Sequence, residues 1–339
     1  MTCIILSDIL QTEKDEALEF YSTLPFLFRE LPYSLNRIVF TKNNRGKIKF
    51  NQSLSCKSDL LSKSASQISN PFGIIHQLEL NFDLYFWEKN QAPQQQYLLL
   101  KDHCLLIYDS LPDAAPTLKL IRNKNYLQRF SQFIEKSWGR KLSFNRNEAN
   151  QILDADPTLL SQLTDRDLQA IYTLAPVGYV LKPDEMEAVE KSPERRERLH
   201  QFFTKLINSG ADIYVSGAAI GEFVRSGKAI LPLSGITTIP KNRRIEIMQR
   251  LETQLSPEMK KRSQVIYTSM SSAVILCSRD LTFLYMVNQD GSKEKIHLFF
   301  VENAAAYLEE DFRKKEFRLL EYSDSRWQAY IDEVRSRLH

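Results

Sequence analysis

The stretches LELNFDLYFW (residues 78–87), QYLLLKDHCLLIYDS (96–110) and TLKLIRN (117–123) lead directly into NKNYLQRFSQFIEKSW (123–138), and this succession decides the fold. The first three are short apolar runs bounded by polar and turn-forming residues, the pattern of strands. The fourth carries its apolar residues at helical spacing behind an asparagine, the pattern of a capped amphipathic helix. Near the C-terminus the same succession returns. SQVIYTSMSSAVILCS (263–278), LTFLYMVNQ (281–289) and KIHLFFVEN (295–303) precede AAAYLEEDFRKKEF (304–317). Both stretches read strand, strand, strand, helix, with Asn123 and Asn303 at the entry to the helix. The expectation is an α/β protein, with α+β left open, built from two copies of this unit at 77–145 and 263–339. A helical middle segment at 146–262 separates them, and a helix-and-hairpin segment at 1–76 comes first.

The 339 residues suffice for one large or two ordinary domains, and 43% apolar content supplies real cores. A net charge of +3 selects no class of partner, because a basic patch can hide in a neutral average. The four cysteines, Cys3, Cys56, Cys104 and Cys277, show no short spacing, which excludes CxxC metal and redox motifs and a disulfide framework. Cys104 and Cys277 sit in apolar strand runs and read as packing residues. The N-terminus has no basic n-region and no cleavage site, and no apolar run approaches the roughly 18 residues of a spanning helix. A cytoplasmic protein with no membrane partner is expected.

Along the chain, residues 9–31 carry apolar residues at helical spacing interrupted by Pro25, and 34–51 reads as a hairpin around Asn43 to Gly46. Residues 51–70 are serine-rich and read as a loop or short helix. Helix starts are expected at Asp156-Pro157, Thr164-Asp165 and Pro183-Asp184, and a strong one at Ser192-Pro193 that ends at Gly210. ADIYVSGAAIGEFVRSGKAIL (211–231) reads as a strand and then a small-residue helix ended by Gly227, with Gly217 and Gly221 there for close packing. The helix after Ile239-Pro240 should bury Ile245, Met248, Leu251 and Leu255. A last amphipathic helix, DSRWQAYIDEVRSRL (324–338), closes the chain.

No catalytic signature emerges. Among 10 glycines none forms GxGxxG or GxxxxGK[ST], so no amide cradle for a phosphate is present. No two of the five histidines lie close enough for HExxH or HxH, no GxSxG elbow occurs, and the acidic clusters fall at helix starts or on polar faces. No catalytic residue, metal site or cofactor is assigned. The candidate ligand-binding residues are His103 and His297, one from each copy and able to act as acid and base if the copies meet about a twofold axis, together with Arg122 beside the first helix. The candidate nucleic-acid contacts are Arg195, Arg196, Arg243 and Arg244, basic positions that also read as solvated helix faces.

From Gln77 to Leu338 the chain resembles the sensor region of a family of helix-turn-helix transcriptional regulators of Gram-positive bacteria. The resemblance rests on ADIYVSGAAIGEFVRSGKAI, the IPKNRRIEIMQRLETQL helix, the VIYTSMSSAVILCSRDLTFLYM hairpin and the KIHLFFVENAAAYLEEDF tail. The QYLLLKDHCLLIYDS to IEKSW unit is also similar to the half-domain of phospholipase D-like regulatory domains, whose catalytic members carry a His-x-Lys pair in each half. Here His103 is followed by Cys104 and Leu105, and His297 by Leu298 and Phe299, so that pair is missing from both copies. Residues 1–75 do not look like a DNA-binding head. The resemblance implies a non-enzymatic regulatory or signal-sensing module, a homodimer that binds a small-molecule ligand or a protein partner. A divergent phosphodiesterase or nuclease, and a direct DNA or other nucleic-acid binder, are the alternatives.

Overall fold

The computed structural model describes residues 18–24, 48–54, 71–79, 82–89, 96–109, 117–175, 178–254, 262–266, 272–288, 293–314 and 320–321, with isolated positions elsewhere. The fold is mixed α/β, and contacts divide the chain into two compact units that meet at Ser143/Phe144.

The first unit holds strands β1 (Leu18–Ser22), β2 (Ile48–Leu54), β3 (Asp83–Glu88), β4 (Gln96–Leu100), β5 (Cys104–Asp109) and β6 (Thr117–Ile121) in one sheet of order β3-β2-β1-β4-β5-β6. β1, β2 and β3 run parallel; β4 pairs antiparallel with β1 and opens an antiparallel meander through β5 to β6. Helix α1 (Pro71–Glu79) precedes β3, and α2 (Lys124–Ser137) follows β6. Asn123 caps α2 by accepting from the Tyr126 amide at 3.0 Å, and Leu127 and Ile134 pack with Tyr97, Leu99, Leu105 and Ile107 of the meander.

The second unit repeats this plan and elaborates it. It opens with β7 (Ser143–Asn145), α3 (Arg146–Ala155), α4 (Leu159–Thr164) and β8 (Leu168–Thr173). α5 (Pro193–Asn208), β9 (Asp212–Ser216), α6 (Gly217–Ser226), the hairpin β10 (Lys228–Leu231) and β11 (Gly235–Thr238), and α7 (Lys241–Gln254) follow. The chain then returns through β12 (Ser263–Ile266), β13 (Ala273–Ser278), β14 (Thr282–Val287), β15 (Glu294–Phe299), α8 (Ala304–Lys314) and β16 (Leu320–Glu321). Sheet order is β16-β12-β9-β8-β13-β14-β15-β7. β8, β9 and β12 are parallel, β13 pairs antiparallel with β8, and β13 to β15 form the meander that ends in a helix. The core β3-β2-β1-β4-β5-β6 is thus matched, strand for strand, by β12-β9-β8-β13-β14-β15.

Successive residues of a strand face opposite sides of its sheet, and both faces of the second sheet are covered. β13 and β14 are buried along their whole lengths, which is why they read as unbroken apolar runs. On one face Tyr172 stacks on Tyr214 at 4.5 Å and touches Phe312 of α8, and its hydroxyl donates to the Ala305 carbonyl. The other face, with Ile171, Ile213, Val274 and Leu276, packs against Leu199, Phe203 and Leu206 of α5 and the elements around it.

The repeat is larger than the sequence reading placed it, and several expectations need correction. Each of the two stretches read as a copy holds four strands before its helix, not three, and each full copy has six. QYLLLKDHCLLIYDS breaks into β4 and β5 at Asp102 (φ 63), and SQVIYTSMSSAVILCS contains both β12 and β13, with Ser272 (φ 64) just before the second. The middle segment is not a helical spacer: it supplies β8 and β9, two of the three parallel strands. Leu18–Ser22, expected within a helix, is β1, because Leu18, Phe20 and Ser22 alternate inward between β2 and β4. Ile48–Leu54 pairs in parallel with β1 and β3 rather than as the arm of a local hairpin, and it extends into the serine-rich stretch. Strand 78–87 starts only at Asp83, since Leu78 and Glu79 complete α1. Thr164-Asp165 ends α4 instead of starting a helix. α7 buries Met248 as expected, but Ile247 rather than Ile245, and nothing lies within 4 Å of a Cβ placed on Gly221, so that glycine serves no close packing. Residues 9–17, 25–31, 34–47 and 55–70, the Leu251 side chain, Leu255 and most of the closing helix lie outside the described residues.

The caps behave as read. Ser192 accepts from the Arg195 amide with Pro193 in the first turn, and Gly227 (φ 74) ends α6. A Cβ at Gly227 would fall 2.2 Å from the Ile239 carbonyl oxygen and 2.5 Å from Arg244 Nε, in addition to the strain of a left-handed backbone. Gly227→Ala is therefore expected to cost about 2–4 kcal/mol, seen as a lower urea midpoint at unchanged slope.

Candidate functional site

The second unit holds an apolar cavity of about 130 Å³ on the α5 face of its parallel strands. Its floor is two cross-strand rows, Ile171–Ile213–Ser263 and Thr173–Val215–Val265, one residue from each of β8, β9 and β12. Leu206 and Ile207 of α5, Ala219, Ile220 and Phe223 of α6, and Ile247 and Met248 of α7 form the walls, and the segment Gly178–Leu181 with Ala229 of β10 completes them. Each crossover connection of the parallel layer therefore lends a side. The small residues Ala175, Ala219 and Ala229 leave the space that larger side chains would fill.

Voids larger than a water molecule are few in a well-packed domain. An unfilled cavity of 130 Å³ costs on the order of 3 kcal/mol at about 24 cal/mol per Å³. That is a sizeable part of the net stability of an ordinary domain, and a small ligand would recover it.

Polar groups at the cavity are few. The Thr173 hydroxyl donates to the Tyr214 carbonyl at 3.3 Å. The Tyr179 ring stands edge-on to Phe203 with centroids 5.4 Å apart, and its hydroxyl is buried with no hydrogen-bond partner among the described residues. Burial pushes the Tyr179 hydroxyl well above the usual tyrosine range, so it stays protonated.

A charged clamp holds the wall. Glu185, in the 3₁₀ turn Pro183–Met186, accepts from Arg250 Nη1 at 2.7 Å and Nη2 at 3.1 Å, and from Arg243 Nη2 at 2.7 Å. Arg250 Nη1 also donates to the Val180 carbonyl at 2.7 Å, so α7 grips the cavity-lining segment directly. Burial works against the Glu185 charge. The hydrogen bonds from Arg250 and the Lys182 amide, with the charges of Arg250 and Arg243, outweigh it and hold the carboxyl below the usual range.

The residues singled out from the sequence are dispersed. His103 belongs to the turn between β4 and β5, its amide donating to the Leu100 carbonyl. His297 lies within β15, fully buried with its ring stacked on Phe299 at 5.8 Å. The β4–β5 turn corresponds to the β13–β14 turn and β15 corresponds to β6, so the two histidines occupy non-equivalent points of the repeat. Arg122 is exposed just after β6, where its charge opposes the rise that burial imposes on the Cys104 thiol, to about 11. Burial also lifts Cys277, to about 12, and both thiols are core groups.

The four arginines serve the fold. Arg195 donates to Asn150 at 2.7 Å and pairs with Glu190, and Arg196 donates to the Glu190 and Lys191 carbonyls. Arg243 belongs to the clamp, and Arg244 donates to the carbonyls of Val224, Arg225, Ser226 and Ile239, closing the end of α6. Among the described residues no group of three His, Cys, Asp or Glu is placed to hold a metal ion, and no helix is long and apolar enough to cross a membrane. Sequence reasoning missed the cavity. Its lining comes from separate segments that each read as ordinary core, and Tyr179 falls in a stretch that reads as a short strand or loop.

No family model and no curated protein matches the chain. A solved structure of the archaeal chromatin protein TrmBL2, described as showing a novel mode of DNA binding, aligns over 63% of this chain and 76% of its own at 9% identity. The TM-score is 0.24, and a likeness of that strength carries no argument.

A carboxylate with a lowered folded-state pKa stabilises fully above the ordinary carboxylate range, and that stabilisation fades as pH falls through the lowered value. Glu185→Gln is expected to cost about 1–3 kcal/mol at neutral pH. Its deficit should shrink as the pH is lowered through the carboxylate range, in urea denaturation series of both proteins.

Proposed function

We propose that the chain is a non-enzymatic regulatory or signal-sensing module whose second unit takes up a small, mainly apolar ligand over β8, β9 and β12. The observation that carries this reading is the cavity itself. It is apolar, and it is bounded by both crossover connections of the parallel layer. Three side chains hold one of its walls in place through the Glu185–Arg243–Arg250 clamp. Pockets for small molecules share this character: mostly hydrophobic lining with a few placed polar groups.

The placement of the walls suits a sensor. A ligand in the cavity touches the floor strands, α6 and α7 together, so its binding energy couples the sheet to both helices. The ligand acts by favouring the arrangement in which these walls close on it. Direct contact with nucleic acid through Arg195, Arg196, Arg243 and Arg244 would compete with the intramolecular acceptors that these side chains already hold.

The test is a thermal-stability screen of small neutral metabolites and solvents against the intact chain. A ligand at 100 times its Kd stabilises by about 2.7 kcal/mol, which raises the midpoint by several degrees in a protein of this size. Protection by compact apolar compounds, abolished by the cavity-filling change Ala219→Leu, is the expected result. A screen in which no such compound shifts the midpoint would overturn the reading.

A further inference from the structure

We propose that the ligand of this cavity is a neutral molecule about one ring in size that carries a single hydrogen-bonding oxygen, and that the Tyr179 hydroxyl recognises that oxygen. The proposal rests on the reading of the cavity as a ligand site and adds the ligand's chemical class and the residue that selects it.

Size comes first. An engineered apolar cavity of about 150 Å³ in another protein stays dry and admits benzene. The cavity here, about 130 Å³, is of the same order. Charge comes second. The floor and walls are Ile, Val, Leu, Ala, Phe and Met for the most part, and a charged ligand buried there would lose its hydration without a counter-ion.

The oxygen follows from Tyr179. A hydroxyl removed from water and left without a partner is costly, and buried hydroxyls in folded proteins find partners as a rule. Tyr179 Oη is buried without one among the described residues, while the Thr173 hydroxyl beside the same cavity is already bonded. Nor is Tyr179 free to swing elsewhere. Its ring is held edge-on by Phe203, and the Gly178 amide before it donates to the Ile230 carbonyl at 3.0 Å. Space at that point is so short that a Cβ on Gly178 would lie 2.6 Å from Leu181 Cδ1. A buried, protonated hydroxyl on a residue that lines an apolar cavity is a donor awaiting an acceptor. A site built on such a group discriminates against analogues that lack the oxygen.

Phenol and toluene make the direct test, because they are nearly equal in size and differ by an oxygen. Their binding is measured by calorimetry on the full chain and on Tyr179→Phe, which keeps the ring and its contact with Phe203. Toluene should bind both proteins equally, and phenol should bind the wild type about tenfold more tightly than the variant. Without ligand, Tyr179→Phe should melt at the same temperature as the wild type or higher, because it removes an unpartnered buried hydroxyl. If phenol binds both proteins equally, or if the ligand-free variant melts several degrees lower, Tyr179 is not the recognition group. If neither compound binds the wild type, the cavity reading itself falls, and with it this proposal.

Discussion

One ladder sets the architecture of each unit: the antiparallel pairing of the first parallel strand with the first meander strand. In the first unit it runs from Phe20↔Leu100 to Ser22↔Leu98, and in the second from Val274↔Thr173 to Ser278↔Leu168. On one side of this seam every connection must cross over the sheet, because parallel neighbours cannot be joined by a tight turn. On the other side short turns suffice. The asymmetry places the bulky crossovers over the parallel half and leaves the meander to be closed by a single helix, α2 or α8. Any cavity in the second unit is therefore most easily formed over β8, β9 and β12, where two separately threaded crossovers have to meet.

That constraint explains why this cavity has the lining it has. Helices α5, α6 and α7 approach the sheet from different points in the chain, each fixed by its own caps and ends: Ser192 and Pro193 for α5, Ser216 and Gly227 for α6, Arg244 and the Glu185 clamp around α7. Small residues at the point of convergence then leave an apolar space instead of a filled core. The polar clamp lies at the margin, where it holds Val180 and the neighbouring segment without bringing charge into the interior.

Much of this was legible in the residues, but unevenly. The caps at Asn123, Ser192 and Gly227 declared their helices because capping chemistry is local. The meanders were visible as apolar runs, since β13 and β14 are buried on both faces. The parallel strands were the hard part. β1 and β8 are five and six residues long and lie next to stretches rich in helix formers, so a periodicity window absorbed them into helices. The turns that split the long runs rest on Asp102 and Ser272 in the left-handed region, residues with no glycine to announce the break. The duplication was found because its C-terminal half is the half with short local connections. The cavity depends on register between strands far apart in the chain, and no single segment of sequence carries that information.

The central claim is that the space over β8, β9 and β12 is a real, accessible, apolar site. Xenon binds such cavities through dispersion alone and needs no knowledge of the natural ligand. A crystal of the full chain pressurised with xenon should show a bound atom between Ile171, Val215, Ala219 and Ile247. Side chains closed over that position, with no xenon between the sheet and α6, would contradict the account.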